Sequence, residues 1–310
     1  MVYSSANVLT VALLALLLVI LTLKFFLADR KRTPTMSTPE LTHIFKIERA
    51  RKHLEDLNIA LNEWVNGHLH PTRLDPDPDD PTHLFVKSGI DPIPVDPFSL
   101  MLGDCVQNLR SSLDHLVFAL TKVYTCPLTE ETARKTQFPI IGDESSKGVS
   151  GFGSDRFRDN AVQMLQAINP KAKTVIERLQ PYQRGRNFRS HPLWQLNELS
   201  NIDKHRMLHV TAWNFTALGI PRDMLLPREE WREGGELKVF SLGAVEGEAI
   251  FARIPRGILV PDPEMHMNIF PAFEIAFKDG PLIGEKVIPI LSDIFNYIVT
   301  EVTPALDSFF

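Results

Sequence analysis

Apolar residues three and four apart run through the stretch from Asp96 to about Tyr124: Leu102, Cys105, Val106, Leu109, Leu113, Leu116, Val117, Leu120 and Val123. That spacing predicts a helix with one buried stripe. Asp96 is a good N-cap, and Pro97 stands at the first helical position, where its missing N–H costs nothing. Upstream, Leu41, Ile44, Phe45, Ile47, Ala50, Leu54, Leu57, Ala60, Leu61, Trp64 and Val65 keep the same period. They predict a long helix from about Pro39 to Leu69, capped by Thr38. Between the two helices, Pro71, Pro76, Pro78, Pro81, Pro92 and Pro94 forbid a helix, and only Leu84 to Lys87 reads as a short strand. Within this break, Asp75 to Pro81 reads as an acidic turn. It lacks the Asx spacing, the glycine and the distal glutamate of an EF-hand calcium loop.

Beyond the central helix, Pro127 to Ser154 is irregular, with Phe138 to Ile141 as an extended piece. Two helices are expected at about Asp155 to Ile168 and Lys171 to Leu179. A loop from Gln180 to His191 follows, carrying Arg184, Arg186 and Arg189. The next helix starts at Pro192, capped by Ser190 or His191, and its pattern continues through HPLWQLNELSNIDKHRMLHV to about Val210. The period then shortens. Residues 207–215, 237–242, 249–254 and 269–277 are β-like runs split by Gly and Pro, predicting an antiparallel sheet of three or four strands. A closing helix from Ile283 to about Phe309 follows, with Pro289 in its first turns or as a kink. The predicted fold class is α+β, mainly a helical bundle with a small C-terminal antiparallel sheet, preceded by one transmembrane helix. Residues 36–310 are expected as a single domain: helical core at about 39–209, sheet at about 207–278, closing helix at 283–309.

The transmembrane expectation rests on Val8 to Leu27, apolar apart from Lys24 and about the 20 residues needed to cross a hydrocarbon core. No Lys or Arg precedes it, while Lys24, Arg30, Lys31 and Arg32 crowd its C-terminal side, which the positive-inside rule keeps cytoplasmic. There is no basic start and no small-x-small cleavage site for a signal peptide. Residues 1–35 are therefore expected as a cell-membrane anchor and basic linker. Residues 8–27 meet the lipid bilayer, with the N-terminus outside and the remaining chain in the cytoplasm. Met36-Ser37-Thr38-Pro39 also has the form of a start, and translation from there would give a cytoplasmic protein.

A net charge of −5 argues against general nucleic-acid binding through a basic surface, while leaving a local basic groove open. The two cysteines, Cys105 and Cys126, form neither a disulfide framework nor a four-cysteine zinc site. No P-loop, GxGxxG, G-x-S-x-G or Cys-x-x-Cys motif is present, and no cofactor is expected.

Three groups of residues carry candidate chemistry. The first is Arg110-Ser-Ser-Leu-Asp114-His115 on the central helix. Arg, four to six residues, then His, with a polar residue such as Ser111 after the Arg, resembles the signature of the HEPN superfamily of helical-bundle proteins, many of them ribonucleases. The resemblance implies a homodimer, whose two protomers share a composite site, and RNA as substrate. His115 would move the ribose 2′-OH proton and Arg110 would stabilise the phosphorane, with Asp114 beside them and no metal. The C-terminal sheet departs from that family. Arg110 and His115 also stand about 140° apart around a straight helix. The plainer alternative, favoured here, is an (i, i+4) surface pair of Arg110 with Asp114, and a hydrogen bond from His115 to another helix.

The second group is Asn201, Asp203, Lys204, His205 and Arg206, with His209 beyond. His205 and His209 have the spacing of two metal ligands on one helical turn, but Arg206 stands where a His-Glu-x-x-His motif needs glutamate. A buried ionic network, Arg110 to Asp203 or Asp114 to Lys204 or Arg206, is favoured over a metal completed by His115 and Asp203. Together, LGDCVQNLRSSLDHLVFAL and HPLWQLNELSNIDKHRMLHV resemble a bacterial, actinobacterial-type family. It pairs an LRSxLDHL helix with an N-x-DKHR helix over most of residues 37 to 280, and no activity comes with it. The resemblance implies that Arg110, Asp114, His115, Asn201, Asp203, Lys204 and His205 act as one site. The third group, Arg184, Arg186 and Arg189 with Tyr182 and Phe188 to stack on bases, suits a phosphate or nucleic acid, although a solvated loop is expected.

Two functions follow as expectations. One is a membrane-anchored, cytoplasm-facing binding or structural protein with a polar cluster between two core helices. The alternative is an HEPN-like, metal-independent ribonuclease using Arg110 and His115.

Overall fold

The structure, a computed structural model, describes residues 41–142, 161, 163–219, 225–227, 230, 237–240, 243–259 and 270–310. In chain order the helices are α1 (Thr42–His68), α2 (Val95–Tyr124), α3 (Glu130–Lys135), α4 (Pro170–Arg178), α5 (Pro192–Asp203), α6 (Val287–Tyr297) and α7 (Thr303–Asp307). The strands are β1 (Arg73–Pro76), β2 (His83–Ile90), β3 (Val210–Gly219), β4 (Lys238–Val239), β5 (Gly243–Ala244), β6 (Gly247–Pro255) and β7 (Phe270–Phe277). The fold class is α+β, as the hydrophobic periods predict. Val8 to Leu27, the Thr38 cap and most of the helix expected at 155–168 lie outside the described residues. Among the described residues no helix is long and apolar enough to cross a membrane.

The chain divides into two compact units. One takes in the described residues of Met1–Arg49, Asn108–Leu196 and Asp293–Phe310; the other is Ala50–Gln107 with Asn197–Ser292.

In the first unit, the stripe of α2 is buried at Leu109, Leu113, Leu116, Val117 and Leu120, while Val123, in the last turn, is exposed. The segment after α2 is less irregular than expected, because Glu130 to Lys135 form α3. Thr129 caps it by accepting from the Thr132 N–H. Glu130 and Glu131 stand in its first turn and Arg134 and Lys135 in its last, matching the helix dipole. α4 starts as expected, with the Asn169 side chain capping Lys171 and Pro170 at the first position. Gln180 to His191 is not an open loop: Pro181–Ser190 winds as 3-10 turns, kinked at Gly185, whose φ of 54° suits glycine. The closing helix widens at Ile298–Val302 into a π turn. The disturbing residue is Pro304, which has no N–H to donate back along the helix; Pro289 sits harmlessly near the start of α6. Thr303 donates twice to the Ile298 carbonyl, from its backbone N–H and from Oγ1 at 2.9 Å.

In the second unit, the expected single C-terminal sheet is two sheets. β3 pairs antiparallel with β7, Val210 opposite Phe277, in a three-stranded sheet of order β5-β3-β7. β6 pairs instead with β2, Ile254 opposite Leu84, in a four-stranded sheet of order β1-β2-β6-β4. The proline-rich break thus holds a hairpin, with Pro76 at the end of the edge strand β1, where a missing N–H is tolerated. Leu84, Val86, Ala252, Ile254, Ile258 and Leu259 form the apolar core of this part. The acidic turn fastens the hairpin. Arg253 donates from Nε to Asp77 and from Nη2 to Asp80, both at 2.6 Å, and Lys87 pairs with Asp75 at 2.7 Å. The Arg253 hydrogen bond holds the Asp77 carboxyl below its usual range, and the Thr82 hydroxyl does the same first for Asp80.

Candidate functional site

α2 sets out the residues singled out by sequence. Arg110 and Asp114, one turn apart, bond through Nη1 to Oδ1 at 2.9 Å. Their other bonds converge on one residue of the extended segment 136–142. Arg110 Nη2 donates to the Phe138 carbonyl at 2.9 Å, and the Phe138 N–H donates to Asp114 Oδ1 at 2.8 Å. A donor and an acceptor side by side imitate the edge of a β-strand. The segment needs them, because Phe138 is fully buried and lies in no strand or helix, so both its backbone groups require partners. Three residues on, the fully buried Gln180 does the same work. Its Oε1 accepts from the Ile141 N–H at 3.0 Å while its Nε2 donates to the Ile176 carbonyl at 3.0 Å. The Tyr182 N–H takes the Ile141 carbonyl at 3.2 Å.

The pair is more enclosed than a surface pair: the Arg110 side chain is 12% exposed and that of Asp114 35%. His115 turns elsewhere, its Nδ1 lying 2.9 Å from Thr42 Oγ1 at the start of α1. In the same unit, His191 is the N-cap of α5. Its Nδ1 accepts from the Leu193 N–H at 3.1 Å, and its ring stands edge-on to Tyr297, centroids 4.8 Å apart. Burial pushes the His191 imidazole down to about 4, and the Arg184 charge acts in the same direction.

The second predicted group behaves differently from expectation. α5 ends at Asp203, so the pattern that continues to Val210 is not one helix. Lys204, His205 and Arg206 form a turn closed on the Ile202 carbonyl. His205 and His209 therefore do not share a helical turn, and the two-ligand spacing is lost. His209 leads into β3, with its Nδ1 3.1 Å from Asp279. Among the described residues no group of three or more His, Cys, Asp or Glu is arranged to hold a metal. Asp203 is seated against α2. A Cβ added at Gly103 would come within 2.4 Å of Asp203 Oδ1, and Gln107 Nε2 donates to Oδ2 at 2.9 Å. Asn201, Lys204, His205 and Arg206 are exposed. Arg110, Asp114 and His115 thus belong to one compact unit and Asn201 to His205 to the other, each group with partners of its own.

No protein-family model, curated protein or solved structure matches this chain. Cys105 is inert: burial pushes its thiol up to about 12, and its Sγ faces the Ala50 carbonyl. The 3-10 segment displays Arg184, Arg186 and Arg189 to solvent. Its aromatic residues are less free than base stacking requires. Arg189 lies over the Phe188 ring, 5.6 Å from its centroid, Trp194 meets that ring edge-on, and Tyr182 Oη donates to Glu177.

Gln180, Gly103 and His191 were not singled out as functional by sequence. Only His191 had a readable signal, its place just before Pro192 at a helix start. The roles of Gln180 and Gly103 depend on residues that reach them through space.

Proposed function

We propose that this chain is a single-pass membrane protein whose globular part faces the cytoplasm and acts by binding or scaffolding, with Arg110, Asp114 and His115 as framework groups. The observation that carries this reading is the pair of bonds from Arg110 and Asp114 to the Phe138 backbone. A guanidinium that stabilises a phosphorane has to meet phosphate. That of Arg110 is committed to a carboxylate and a buried carbonyl, and freeing it would leave polar groups of a buried segment without partners. The apolar Val8 to Leu27 with its basic C-terminal flank supports the anchor and its orientation. The exposed Asn201, Lys204 and His205 at the end of α5, held in place by Asp203, are the polar groups offered for binding.

The test uses the full chain in membranes. Resistance to alkaline carbonate, with the globular part cut by protease only from the cytoplasmic side, is expected. RNA incubated with the protein should be cleaved no faster than in protein-free membranes. Cleavage that is lost in His115→Ala and indifferent to EDTA would overturn the binding role. It would favour the HEPN-like, metal-independent ribonuclease, in which Arg110 leaves Phe138 and a second protomer completes the site.

A further inference from the structure

From Pro170 to Ser190 the chain carries six basic residues against one acidic residue, Glu177, in a protein whose net charge is −5. Five of them, Lys171, Arg178, Arg184, Arg186 and Arg189, are exposed, while Lys173 is half-buried. Lys171 and Arg178 are seven apart on α4, hence on one stripe, and are exposed opposite the buried Ala172 and Ile176. The helix then passes through Gln180 into the 3-10 segment, where Arg184, Arg186 and Arg189 are exposed. Arg184 donates one bond to the Ser190 carbonyl. Among the described residues no carboxylate pairs with Lys171, Arg178, Arg186 or Arg189. Phe188 and Trp194, half-buried and edge-on to each other, stand beside the arginines.

We infer that this basic ridge rests on an anionic lipid leaflet. Two observations favour lipid over nucleic acid. The aromatic rings are engaged by Arg189, by each other and by Glu177, which leaves no paired platform for successive bases. Half-buried Trp and Phe beside arginines also suit a headgroup interface. The inference rests on the anchor proposed above. The stretch 28–41 that would join the anchor to α1 reaches at most roughly 48 Å at about 3.4 Å per residue. A folded unit of about 100 residues has a radius of gyration near 13 Å. The tether's entry at α1 and the ridge belong to the same compact unit, so the tether is long enough to let the ridge face the bilayer.

The full chain is placed in nanodiscs of phosphatidylcholine alone or with phosphatidylserine, and arginines are modified with phenylglyoxal and read by mass spectrometry. Each basic group near an anionic surface strengthens the contact about fivefold. Modification of Arg178, Arg184, Arg186 and Arg189 is therefore expected to slow at least about fivefold with phosphatidylserine at about 0.1 M salt and to recover at about 1 M. Arg134, exposed on α3, is the internal reference and should not change. The substitution R186E/R189E should abolish the protection of Arg178 and Arg184. Equal modification in both discs, or equal slowing at Arg134, overturns the inference. So does protection already complete in phosphatidylcholine and insensitive to salt, which would mean that the chain itself covers the ridge. Stronger protection by added single-stranded RNA than by anionic lipid would assign the ridge to nucleic acid instead. Failure of the anchor reads separately, as protein that carbonate extracts from both kinds of membrane.

Discussion

Asp114→Ala tests the central physical claim, that a helical ion pair replaces a missing β-strand. The substitution removes the acceptor for the Phe138 N–H and the partner of Arg110 together. Each hydrogen bond to a charged group is worth about 1.5–3 kcal/mol net. Asp114 keeps 35% of its side-chain surface exposed, so water recovers part of both. The expected loss is about 2–3 kcal/mol, a fall in Tm of roughly 3–5 °C at this chain length. The local readout is sharper. If opening of the segment becomes easier by about 2–3 kcal/mol, the Phe138 amide should exchange roughly 30- to 150-fold faster, since each 1.4 kcal/mol is tenfold. Asp114→Asn keeps an oxygen for Phe138 and loses only the charge facing Arg110, so its cost should be about 1 kcal/mol. Arg110→Met combined with Asp114→Ala should cost less than the sum of the two, because each single change strands the other's partner. Wild-type exchange at Phe138 in a folded Asp114→Ala protein would refute the clamp. An Asn variant as damaged as Ala would show that charge, and not the bracket of donor and acceptor, holds the segment.

Three further outcomes follow from the same geometry. Gly103→Ala should destabilise by about 1 kcal/mol, because its Cβ displaces the Asp203 carboxylate, yet stabilise by up to about 1 kcal/mol in an Asp203→Ala background, where only the better helix propensity remains; calorimetry on the four proteins shows whether the sign inverts. Gln180→Leu should cost about 1–3 kcal/mol by leaving the buried Ile141 N–H without its acceptor, seen as faster exchange of that amide. His191 is neutral in the fold, pushed down to about 4 from 6.5 in the open chain, so its stabilisation is complete above pH 6.5 and is lost as pH falls towards 4. His191→Asn keeps a capping oxygen without that titration, and its Tm should therefore fall less between those two values. A parallel acid limb in both proteins would remove His191 as the cause.

The sequence by itself determined the elements whose signal is local. The periods of three and four in α1 and α2, and the β-like runs split by Gly and Pro that become β3, β6 and β7, are properties of consecutive residues, and the α+β class follows from them. Tertiary structure decided where those signals stop and whom they meet. The pattern of α5 runs on to Val210, but the chain leaves the helix at Asp203, where its carboxylate finds room over Gly103 that no other residue would leave. β6 resembles β7 as a sequence, yet takes its partner from a proline-rich stretch more than 150 residues earlier, about Gly247 opposite Ile90, because cross-strand burial sets the pairing. Arg110 and Asp114 were visible as a reactive pair. Their employment depends on Phe138, 24 positions beyond Asp114, whose buried backbone has no strand beside it. Such a requirement exists only once the chain has folded, since an exposed amide is satisfied by water and asks nothing of a side chain.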